Sequence, residues 1–469
     1  MKKQSKIKTY NLSNVKYKTV TEGFDWGPAI TKVILNIGYA IDGQSISKET
    51  FSISSVRKYN AVDAKTMHQN NRPTVEIKKR DVTAIYLSDA KGEADDSGTY
   101  ITAEMKVGPD MPESSPFYYN SKIELNTYVD TSYIIKISES GSLLAKDGKT
   151  VIMNPTDKSG YDGNYNILAD EFDITGSYTN GSITLKYASY TPKTASDKKG
   201  SNPLIIWLHG AGEGGQNPTL ALLGNKVVNL ASQKIQSFFG KTGAYVLVPQ
   251  CKTIWMNYDG MGTYNDTVKG SDGKSFYTET LMGLIKNYIS QHPEIDMGRI
   301  YIGGCSNGGF MTMNMIINYP DYFAAAFPVC ESYSAEWLTS ERVEAIKNIP
   351  IWLTAAKPDA TVPIYKGTMD NDTKEYKFDL DENGNKIALD NFSNAAYDRL
   401  KKAGAKDVHY SLWDKVADTS GKYFKAGSTT EPYEYLGHFS WIYVLNNECK
   451  DNIGGKEVSL FQWLSEQSK

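Results

Sequence analysis

The sequence predicts two domains of different fold class, an all-β sandwich over residues 1–165 and an α/β domain with a mostly parallel sheet over residues 166–469. Two observations predict this division. The first part contains short runs of Val, Ile, Thr and Tyr separated by turn residues, without long helical periodicity, which is typical of antiparallel sandwiches. The second part alternates apolar runs with stretches of helical period, which is typical of a parallel sheet flanked by helices.

The length and composition are consistent with more than one folded domain. The chain has 469 residues, which is about three times the usual length of a single domain. Hydrophobic residues make up 40% and charged residues 22%. This composition supplies enough apolar side chains for a core and excludes global disorder.

The strands predicted in the sandwich are separated by polar or glycine-containing turns such as residues 94–98 and 108–116. They are Thr31–Ile37, Ala84–Leu87, Tyr100–Val107, Lys122–Tyr128 and Tyr133–Ile137. The pattern changes near Ala169. After that point the predicted strands are Leu204–Leu208, Tyr245–Pro249, Arg299–Ile302, Ile351–Ala355 and Val408–Trp413, and the predicted helices are Tyr277–Ser290, Gly308–Tyr319 and Asn394–Ala403.

Charge and hydropathy exclude two kinds of partner. The net charge is −3 and the 51 basic residues form no long block, so no nucleic-acid partner is predicted. No apolar run approaches the roughly 18 residues that a membrane span needs. The opening residues MKKQSKIKTYNL are basic, but no apolar stretch follows, so they are not a complete signal peptide. We expect a secreted protein whose signal peptide is absent from this chain, with a cytoplasmic protein as the alternative.

The residues that usually bind metals show no metal-binding spacing. The four cysteines are scattered and form no CxxC pair, which favours buried hydrophobic roles for them. The five histidines include no HxH or HExxH pattern, so no zinc site is predicted. Residues 379–390 approach the pattern of a calcium-binding loop, but its twelfth position is Asp instead of Glu. Asn383-Gly384 therefore favours a hairpin turn between Tyr376–Leu380 and Lys386–Leu389.

The strongest local motif is Gly304-Cys305-Ser306-Asn307-Gly308, which lies between a predicted strand and a predicted helix. A strand that turns abruptly into a helix forces the middle residue into a strained backbone and exposes its side chain at the edge of the sheet. Glycines two positions before and after remove the Cβ atoms that would collide there. The helix N-terminus places free amides beside the serine, where an oxyanion would form. Ser306 is therefore the candidate nucleophile.

A second glycine-rich segment, residues 209–215, directly follows the strand Leu204–Leu208. A backbone amide of this loop and the amide of Asn307 would make an oxyanion hole with two donors. No Lys-Ser/Thr pair follows, so a phosphate-binding loop is not predicted. His209 precedes the nucleophile in the chain, and we expect it to brace the loop and not to catalyse.

Two histidines follow Ser306, as the order Ser, acid, His of this scaffold requires. His409 lies within a strand, where a structural role is expected. His438 lies in a glycine-introduced loop ahead of a last helix, which suits a general base. Asp359 follows the strand Ile351–Ala355 and is the preferred acid, because functional side chains gather at the carboxyl ends of such strands. The later aspartates lie too far beyond the strand end: Asp370, Asp372, Asp379, Asp381 and Asp390.

These segments resemble the esterases that carry an N-terminal immunoglobulin-like domain and a catalytic domain of the prolyl-oligopeptidase type within the α/β-hydrolase fold. The resemblance covers most of the chain and is more specific in the hydrolase half. The matching stretches are 27–30, 208–213, 299–301 with 304–309, 319–321 with 323–328, Asp359 with Val362-Pro363, and Gly437-His438 with Ser440-Trp441. It implies a triad of Ser306, Asp359 and His438, and oxyanion donors at Ala211 and Asn307.

The chain also departs from the family pattern. Related sequences commonly carry Met or Ala at the position of Asn307. Cys330-Glu331-Ser332 replaces a glycine-rich stretch, which is expected to place the carboxylate of Glu331 near the pocket wall. The segments 366–391 and 414–435 lengthen the loops around the acid and the histidine, and long loops of this kind often cover an active site.

The residues and the resemblance together predict a serine hydrolase that cleaves carboxylic esters without a cofactor or metal. Small-molecule esters and acyl esters of plant polysaccharides are the expected substrates. Trp255 and Tyr258 are candidates for an acyl pocket, with ordinary packing as the alternative, and Glu331 is a candidate for holding a substrate amine. The alternatives are a serine peptidase of the prolyl-oligopeptidase type, whose usual β-propeller does not fit into about 165 residues, and a non-catalytic carbohydrate-binding or adhesion protein.

Overall fold

The structure, a computed structural model, describes residues 9–62, 72–370 and 375–469. The chain forms two compact units, an N-terminal unit that ends at Asp170 and a C-terminal unit that begins at Glu171. The domain boundary that the sequence predicts, between residues 165 and 166, lies close to this division. Each unit is described by itself below.

The N-terminal unit is built mainly from strands. They are β1 (Thr9–Leu12), β2 (Lys16–Phe24), β3 (Gly27–Asn36), β4 (Phe51–Tyr59), β5 (Thr74–Arg80), β6 (Val82–Ser88), β7 (Tyr100–Met105), β8 (Phe117–Asn120), β9 (Leu125–Tyr128), β10 (Asp130–Ile137), β11 (Thr150–Met153) and β12 (Tyr161–Asn166). One sheet has the order β12-β2-β3-β7-β6 and another has the order β10-β4-β5. Neighbours in both sheets are antiparallel except β12, which runs parallel to β2.

The two sheets share one apolar core because side chains alternate between the two faces of each strand. In β4, every second residue from Phe51 to Arg57 is buried, and the residues between them are partly exposed. The first sheet contributes Val33, Leu35, Ile101 and Ala103 to the core, and the second contributes Phe51, Ile53, Tyr133 and Ile135. The predicted β-sandwich is confirmed.

One strand of this unit is shorter than the sequence predicts. The prediction covers Lys122–Tyr128, whereas β9 begins at Leu125. Residues 121–124 form a turn, in which the amide of Lys122 donates to the Asn120 side chain at 3.1 Å and Glu124 has a φ of 54°. The Asn side chain caps this turn, and its local hydrogen bond outweighs the strand propensity of the residues that follow.

The C-terminal unit alternates strands and helices. Its strands are β13 (Asp173–Asn180), β14 (Ile183–Tyr190), β15 (Asn202–Leu208), β16 (Tyr245–Gln250), β17 (Ile295–Cys305), β18 (Ala325–Val329), β19 (Ile351–Ala356), β20 (Gly367–Met369), β21 (Tyr376–Phe378), β22 (Val408–Trp413), β23 (Val416–Ala417), β24 (Glu434–Tyr435), β25 (Lys450–Ile453) and β26 (Lys456–Ser459). Its helices are α1 (Pro218–Leu223), α2 (Gln233–Gln236), α3 (Thr278–Gln291), α4 (Asn307–Asn318), α5 (Ser340–Ile346), α6 (Phe392–Lys402), α7 (Trp441–Leu445) and α8 (Leu460–Ser465).

The main sheet of this unit has eight strands in the order β13-β14-β16-β15-β17-β18-β19-β22. The six strands from β16 to β22 in this order run parallel, whereas β13, β14 and β16 pair antiparallel. The mostly parallel sheet flanked by helices is confirmed. Three strands of the sheet were not predicted from the sequence. β13 and β14 alternate in burial and lack the continuous apolar runs of the central strands, whereas β18 is fully buried but consists of Ala-Ala-Phe-Pro-Val, in which Ala and Pro have low strand propensity.

The parallel strands bring their carboxyl ends to one edge of the sheet. β15, β17, β18 and β19 end there at Leu208, Cys305, Val329 and Ala356. Their interiors are apolar on both faces, as in β15, where Leu204–Leu208 is completely buried. The polar loops that follow these ends are therefore brought together by a rigid scaffold, and the candidate site lies there.

The hairpin turn predicted at Asn383-Gly384 is present. Gly384 has a φ of +79°, and the Asp381 carboxylate accepts from the amides of Asn383 and Asn385 at 2.9 and 2.8 Å. Leu380 pairs with Lys386 across the turn. The predicted pairing is confirmed next to the turn, where the Ile387 amide also donates to the Asp379 carbonyl at 3.2 Å, but it does not extend to Tyr376–Phe378, which pairs with β20.

Within the described ranges, no helix is both long enough and apolar enough to cross a membrane.

Candidate active site

Ser306 lies at the sharp turn between β17 and α4. Its backbone has φ 55° and ψ −116°, a combination that non-glycine residues rarely adopt. Hydrogen bonds on both sides hold this strained conformation: the Ser306 amide donates to the Val329 carbonyl at 2.9 Å, and the Ser306 carbonyl accepts from the Phe310 amide at 2.9 Å. The side chain is thereby directed away from both the strand and the helix.

The glycines of the motif are required by close backbone contacts. A Cβ atom at Gly304 would lie 2.6 Å from the Leu208 carbonyl oxygen, and a Cβ atom at Gly308 would overlap the same carbonyl. Both glycines therefore allow the end of β15 to pack directly against the turn. This packing brings the loop after β15 next to Ser306, as the sequence analysis expects.

His438 lies between Ser306 and Asp359. Its Nε2 is 2.9 Å from Ser306 Oγ and its Nδ1 is 2.8 Å from Asp359 Oδ2. His438 is the middle residue of a single 3₁₀ turn, Gly437–Phe439. A Cβ atom at Gly437 would overlap the carbonyl of Pro358, so this glycine lets the histidine loop approach the aspartate loop.

Backbone hydrogen bonds hold Asp359 in place. The residue is 1% exposed, and its Oδ1 accepts from the amides of Thr361 and Val362, both at 2.8 Å. The other oxygen, Oδ2, faces the His438 ring. A buried carboxylate with these partners keeps Nδ1 protonated and leaves Nε2 as an acceptor for the Ser306 hydroxyl. The arrangement is able to transfer a proton from the serine to the imidazole.

The two residues implied as oxyanion donors lie on either side of the turn. Asn307 is the first residue of α4, so its amide has no acceptor within the helix. Ala211 opens the 3₁₀ turn Ala211–Glu213, which follows Gly210. A Cβ atom at Gly210 would contact Cys305 Sγ at 3.6 Å, so this loop lies against the residue that precedes Ser306.

His209 is completely buried beneath this loop. Its Nδ1 donates to the Gly210 carbonyl at 2.6 Å, and its Nε2 accepts from the Cys251 amide at 3.2 Å. Burial lowers the pKa of His209 to about 4, so the ring is neutral at pH 7. These contacts support the loop after β15, in agreement with the expected bracing role.

His409, the other histidine after Ser306, does not lie at this site. Its Nδ1 faces Asp451 Oδ2 at 2.6 Å and its Nε2 faces Asp407 Oδ1 at 2.8 Å. The ring packs against Trp352, with ring centroids 4.8 Å apart. His409 therefore bridges two carboxylates at the outer strand of the sheet.

The structure does not support two of the three predicted substrate-binding side chains. Trp255 is completely buried and packs against Tyr277 and His209 in the core, so its ring offers no surface to a ligand. Glu331 is also 0% exposed, and its backbone lies against α4, so its carboxylate offers no surface to a substrate amine. Tyr258 is 44% exposed and remains available to a ligand.

The side chain of Asn307 has a contact that the sequence analysis missed. It is 2% exposed, and its Oδ1 accepts from the backbone amides of Trp255 and Met256. The segment after β16 is thereby attached to the residue next to Ser306. The only signal in the sequence was an unusual residue at this position, and its partners lie more than fifty residues away in the chain.

The sheet order, the strained serine turn after β17 and the hydrogen-bonded row of Ser306, His438 and Asp359 define the α/β-hydrolase class of the C-terminal unit.

Two family models match the chain. Residues 16–151 match the esterase Ig-like N-terminal domain, and residues 190–391 match the phospholipase/carboxylesterase family. The second match contains Ser306 and Asp359 and ends before His438. The chain therefore belongs to the esterases in which an immunoglobulin-like domain precedes a carboxylesterase domain, and it is an ester hydrolase.

A solved structure shows the same fold. A thermostable esterase is 22% identical, the alignment covers 97% of this chain and 100% of that chain, and the TM-score is 0.70. A ferulic acid esterase is 13% identical over 52% of this chain and 91% of that chain, with a TM-score of 0.36. The uncomplexed acylaminoacyl peptidase of Pyrococcus horikoshii is 16% identical over 80% of this chain and 58% of that chain, also with a TM-score of 0.36. The last two likenesses are too low to support an argument. None of the curated proteins compared with the chain matches it.

Proposed function

We propose that this esterase cleaves small acyl esters, free or attached to a polysaccharide, through a catalytic triad of Ser306, His438 and Asp359. The observation that carries the proposal is the position of the His438 ring, whose two nitrogens lie 2.9 Å from the Ser306 hydroxyl and 2.8 Å from the Asp359 carboxylate. A nucleophile, a base and an orienting acid are thus within hydrogen-bond distance in one row.

In the first half of the reaction, Ser306 Oγ attacks the carbonyl carbon of the ester while its proton moves to His438 Nε2. The carbonyl electron pair moves to the oxygen and forms a tetrahedral oxyanion. The amides of Asn307 and Ala211 are the proposed donors to that oxyanion. When the intermediate collapses, the proton on Nε2 moves to the alcohol that leaves, and the acyl group stays on Ser306.

In the second half, a water molecule attacks the acyl-serine and His438 takes a proton from it. The tetrahedral intermediate forms again, and its collapse returns the proton to Ser306 Oγ and releases the carboxylic acid. Asp359 keeps the ring oriented in both halves and stabilises the imidazolium that forms. Its two backbone hydrogen bonds support this role because they prevent the carboxylate from turning away.

The nucleophile is tested by labelling. A serine-directed phosphonate should label the wild-type protein and fail to label Ser306→Ala, which should also lose ester hydrolysis. Ser290→Ala is the matched control, because the Ser290 hydroxyl is exposed at the end of α3 and donates to the Asn287 carbonyl, away from the site. Label on Ser306→Ala, or ester hydrolysis within about tenfold of wild type, contradicts the assignment.

The preference for esters over amides is the second part of the proposal. An amide leaving group must be protonated as it departs, so a peptidase needs tight placement of the whole peptide. Glu331, the candidate for holding a substrate amine, is 0% exposed and does not supply such a grip. The burial of this carboxylate argues against an aminopeptidase.

We expect kcat/KM for a p-nitrophenyl ester to exceed that for the matching p-nitroanilide by about a hundredfold or more, a difference of about 2.7 kcal/mol in the barrier. Acetyl, butyryl and feruloyl esters measured in parallel identify the acyl group that is preferred. Comparable values for ester and anilide would assign the enzyme to the peptidases instead.

A further inference from the structure

Glu331 is a buried carboxyl group directly behind the nucleophile turn that the proposed mechanism does not use. It follows β18 and Cys330, whose φ of 36° marks a sharp turn of the chain. A Cβ atom at Gly309 in α4 would lie 2.7 Å from the Glu331 Cα. The backbone of Glu331 therefore lies against the first turn of the helix that begins beside Ser306.

The two oxygens of this carboxyl group have different surroundings. Oε2 accepts from the amide of Tyr333 at 2.6 Å. Oε1 is buried and has no hydrogen-bond partner in the described part of the chain. The Ser393 hydroxyl, at the start of α6, is a buried group that also has no partner among the described residues, and it lies near enough to interact with the Glu331 carboxyl. A buried carboxyl oxygen and a buried hydroxyl without partners thus lie in the same region of the interior.

Among the described residues, no cation forms an ion pair with the Glu331 carboxyl group. The helix α4 contains no ionisable side chain. The ionisable groups that interact with Glu331 or with its neighbours Tyr333 and Tyr410 include Arg342 on α5, Asp398 on α6 and Asp359 after β19, and Arg399 also lies on α6. Arg342 donates to the Tyr333 hydroxyl and Arg399 donates to the carbonyls of Ala335 and Leu338, so both cations have other partners.

An ionised carboxylate in such a place is unfavourable, because burial removes its hydration and a single amide does not replace it. Burial accordingly raises the pKa of Glu331 well above its ordinary value, although the amide of Tyr333 and the Ser393 hydroxyl partly oppose the shift. A protonated carboxyl group needs no counter-ion. Its O–H donates to the Ser393 oxygen, and its other oxygen still accepts from the Tyr333 amide.

We propose that Glu331 is a positioning residue of the esterase site, which as a neutral carboxylic acid joins Ser393 to the loop after β18 and holds that loop against the nucleophile turn. The next residue, Ser332, connects this loop to the chemistry, because its hydroxyl donates to the Ser306 carbonyl at 3.3 Å. The inference rests on the proposed role of Ser306. Ionisation or loss of the Glu331 side chain releases the loop and loosens the strained backbone of the nucleophile.

The matched pair Glu331→Gln and Glu331→Ala tests this role. Glutamine keeps a neutral group with one acceptor and a donor, so Glu331→Gln should retain kcat within about threefold of wild type. Glu331→Ala leaves the Tyr333 amide and the Ser393 hydroxyl without partners and should lower kcat about ten- to a hundredfold, with a smaller change in KM. A kcat of Glu331→Gln as low as that of Glu331→Ala, or a full kcat in Glu331→Ala, overturns the proposal.

The protonation state is measured independently of activity, by infrared difference spectroscopy between wild type and Glu331→Gln at pH 7. The expected result is the carbonyl band of a protonated carboxylic acid, present in wild type and absent in the variant. A carboxylate band in its place overturns the proposal, and it does so even if Glu331→Ala fails to fold. The Ser306→Ala labelling experiment fails or succeeds separately, so the two proposals are distinguishable.

Discussion

The two histidines that follow Ser306 in the chain, His438 and His409, have almost the same environment by simple measures. Their side chains are 12% and 13% exposed. Each ring has a carboxylate oxygen 2.8 Å from one nitrogen. They differ in the partner of the second nitrogen, which is the Ser306 hydroxyl for His438 and a second carboxylate, that of Asp451, for His409.

The partner of the second ring nitrogen distinguishes His438, the proposed base, from His409, which bridges two carboxylates. A ring between a carboxylate and a hydroxyl keeps one nitrogen as an acceptor, so it is able to take a proton. A ring between two carboxylates donates from both nitrogens only when it is protonated, so this environment favours the cationic form. Burial lowers the pKa of His409, but its hydrogen bonds with Asp407 and Asp451 outweigh burial and raise the pKa above its ordinary value. An Asp–His pair therefore indicates catalysis only where the second nitrogen faces a nucleophile.

The largest difference is expected between His438→Ala and His409→Ala. His438→Ala removes the proposed base and should lower kcat by about three to six orders of magnitude, since triad members act as a unit. His409→Ala should leave kcat within about threefold at a temperature where the variant is folded. Initial rates on a p-nitrophenyl ester, with circular dichroism to verify folding, measure both. If His409→Ala is the inactive variant, the two assignments are reversed.

A smaller difference is expected between Asp359→Asn and Asp407→Asn, which change the carboxylate partner of each histidine. Asparagine at position 359 removes the charge that orients the His438 ring and stabilises its cation, so kcat should fall by about two to four orders of magnitude. Asp407→Asn should change the melting temperature and leave kcat near wild type, because Asp407 bonds to His409 and to the Trp463 indole at 3.0 Å. Equal kcat values for the two variants would argue against a role for Asp359 in the triad.

The smallest expected effect is on stability and depends on pH. The pKa of His409 is raised in the folded state. Its contribution to the free energy of unfolding is therefore complete below the ordinary histidine pKa of about 6.5, and it is lost as the pH rises through the raised pKa of the folded state. Burial acts to raise the pKa of Asp407, but the hydrogen bonds with His409 and the Trp463 indole outweigh burial and lower the pKa, so the contribution of Asp407 to stability is lost as the pH falls through that lowered value. The two effects define a window from about pH 4 to pH 6.5.

We expect wild type to exceed His409→Gln in unfolding free energy by about 1 kcal/mol within this window, because Asp407 and Asp451 are 38% and 46% exposed and solvent screens the pair. The difference in unfolding free energy between the two proteins should shrink above pH 6.5. Urea unfolding of both proteins at pH 5.5 and pH 9 measures the change. A difference that grows toward pH 9 would show that His409 is buried as a neutral ring.

Features that depend only on neighbouring residues, such as a tight turn or a buried strand, were predictable from short segments of sequence. The strained turn at Ser306 needs glycines at positions 304 and 308, and the sequence has glycine at both. The apolar strands β15 and β19 are visible as continuous runs, and the fold class follows from them. The choice of His438 over His409 as the base rested on a loop against a strand and stays a prediction, which the 2.9 Å distance from His438 Nε2 to Ser306 Oγ supports.

Predictions about which side chains reach a ligand were less successful. Trp255 and Glu331 follow strand ends of the main sheet, where exposed functional residues are expected, but both are completely buried. Burial at these positions comes from α4, which packs against Glu331, and from Tyr277, which packs against Trp255. The local sequence around Trp255 or Glu331 does not include the residues that bury these side chains, so their burial is not predictable from it.

By itself, the sequence determined the fold class of each part of the chain and the strained position of Ser306, because backbone geometry, glycine and hydrophobic period act over a few residues. Only the tertiary structure decided the partners. His438 meets Ser306 across 132 residues and Asp359 across 79, and the Glu331 backbone packs against Gly309 of α4. Such contacts depend on how whole elements pack, since a hydrogen bond needs its two atoms within about 3 Å of each other, whatever their separation in sequence.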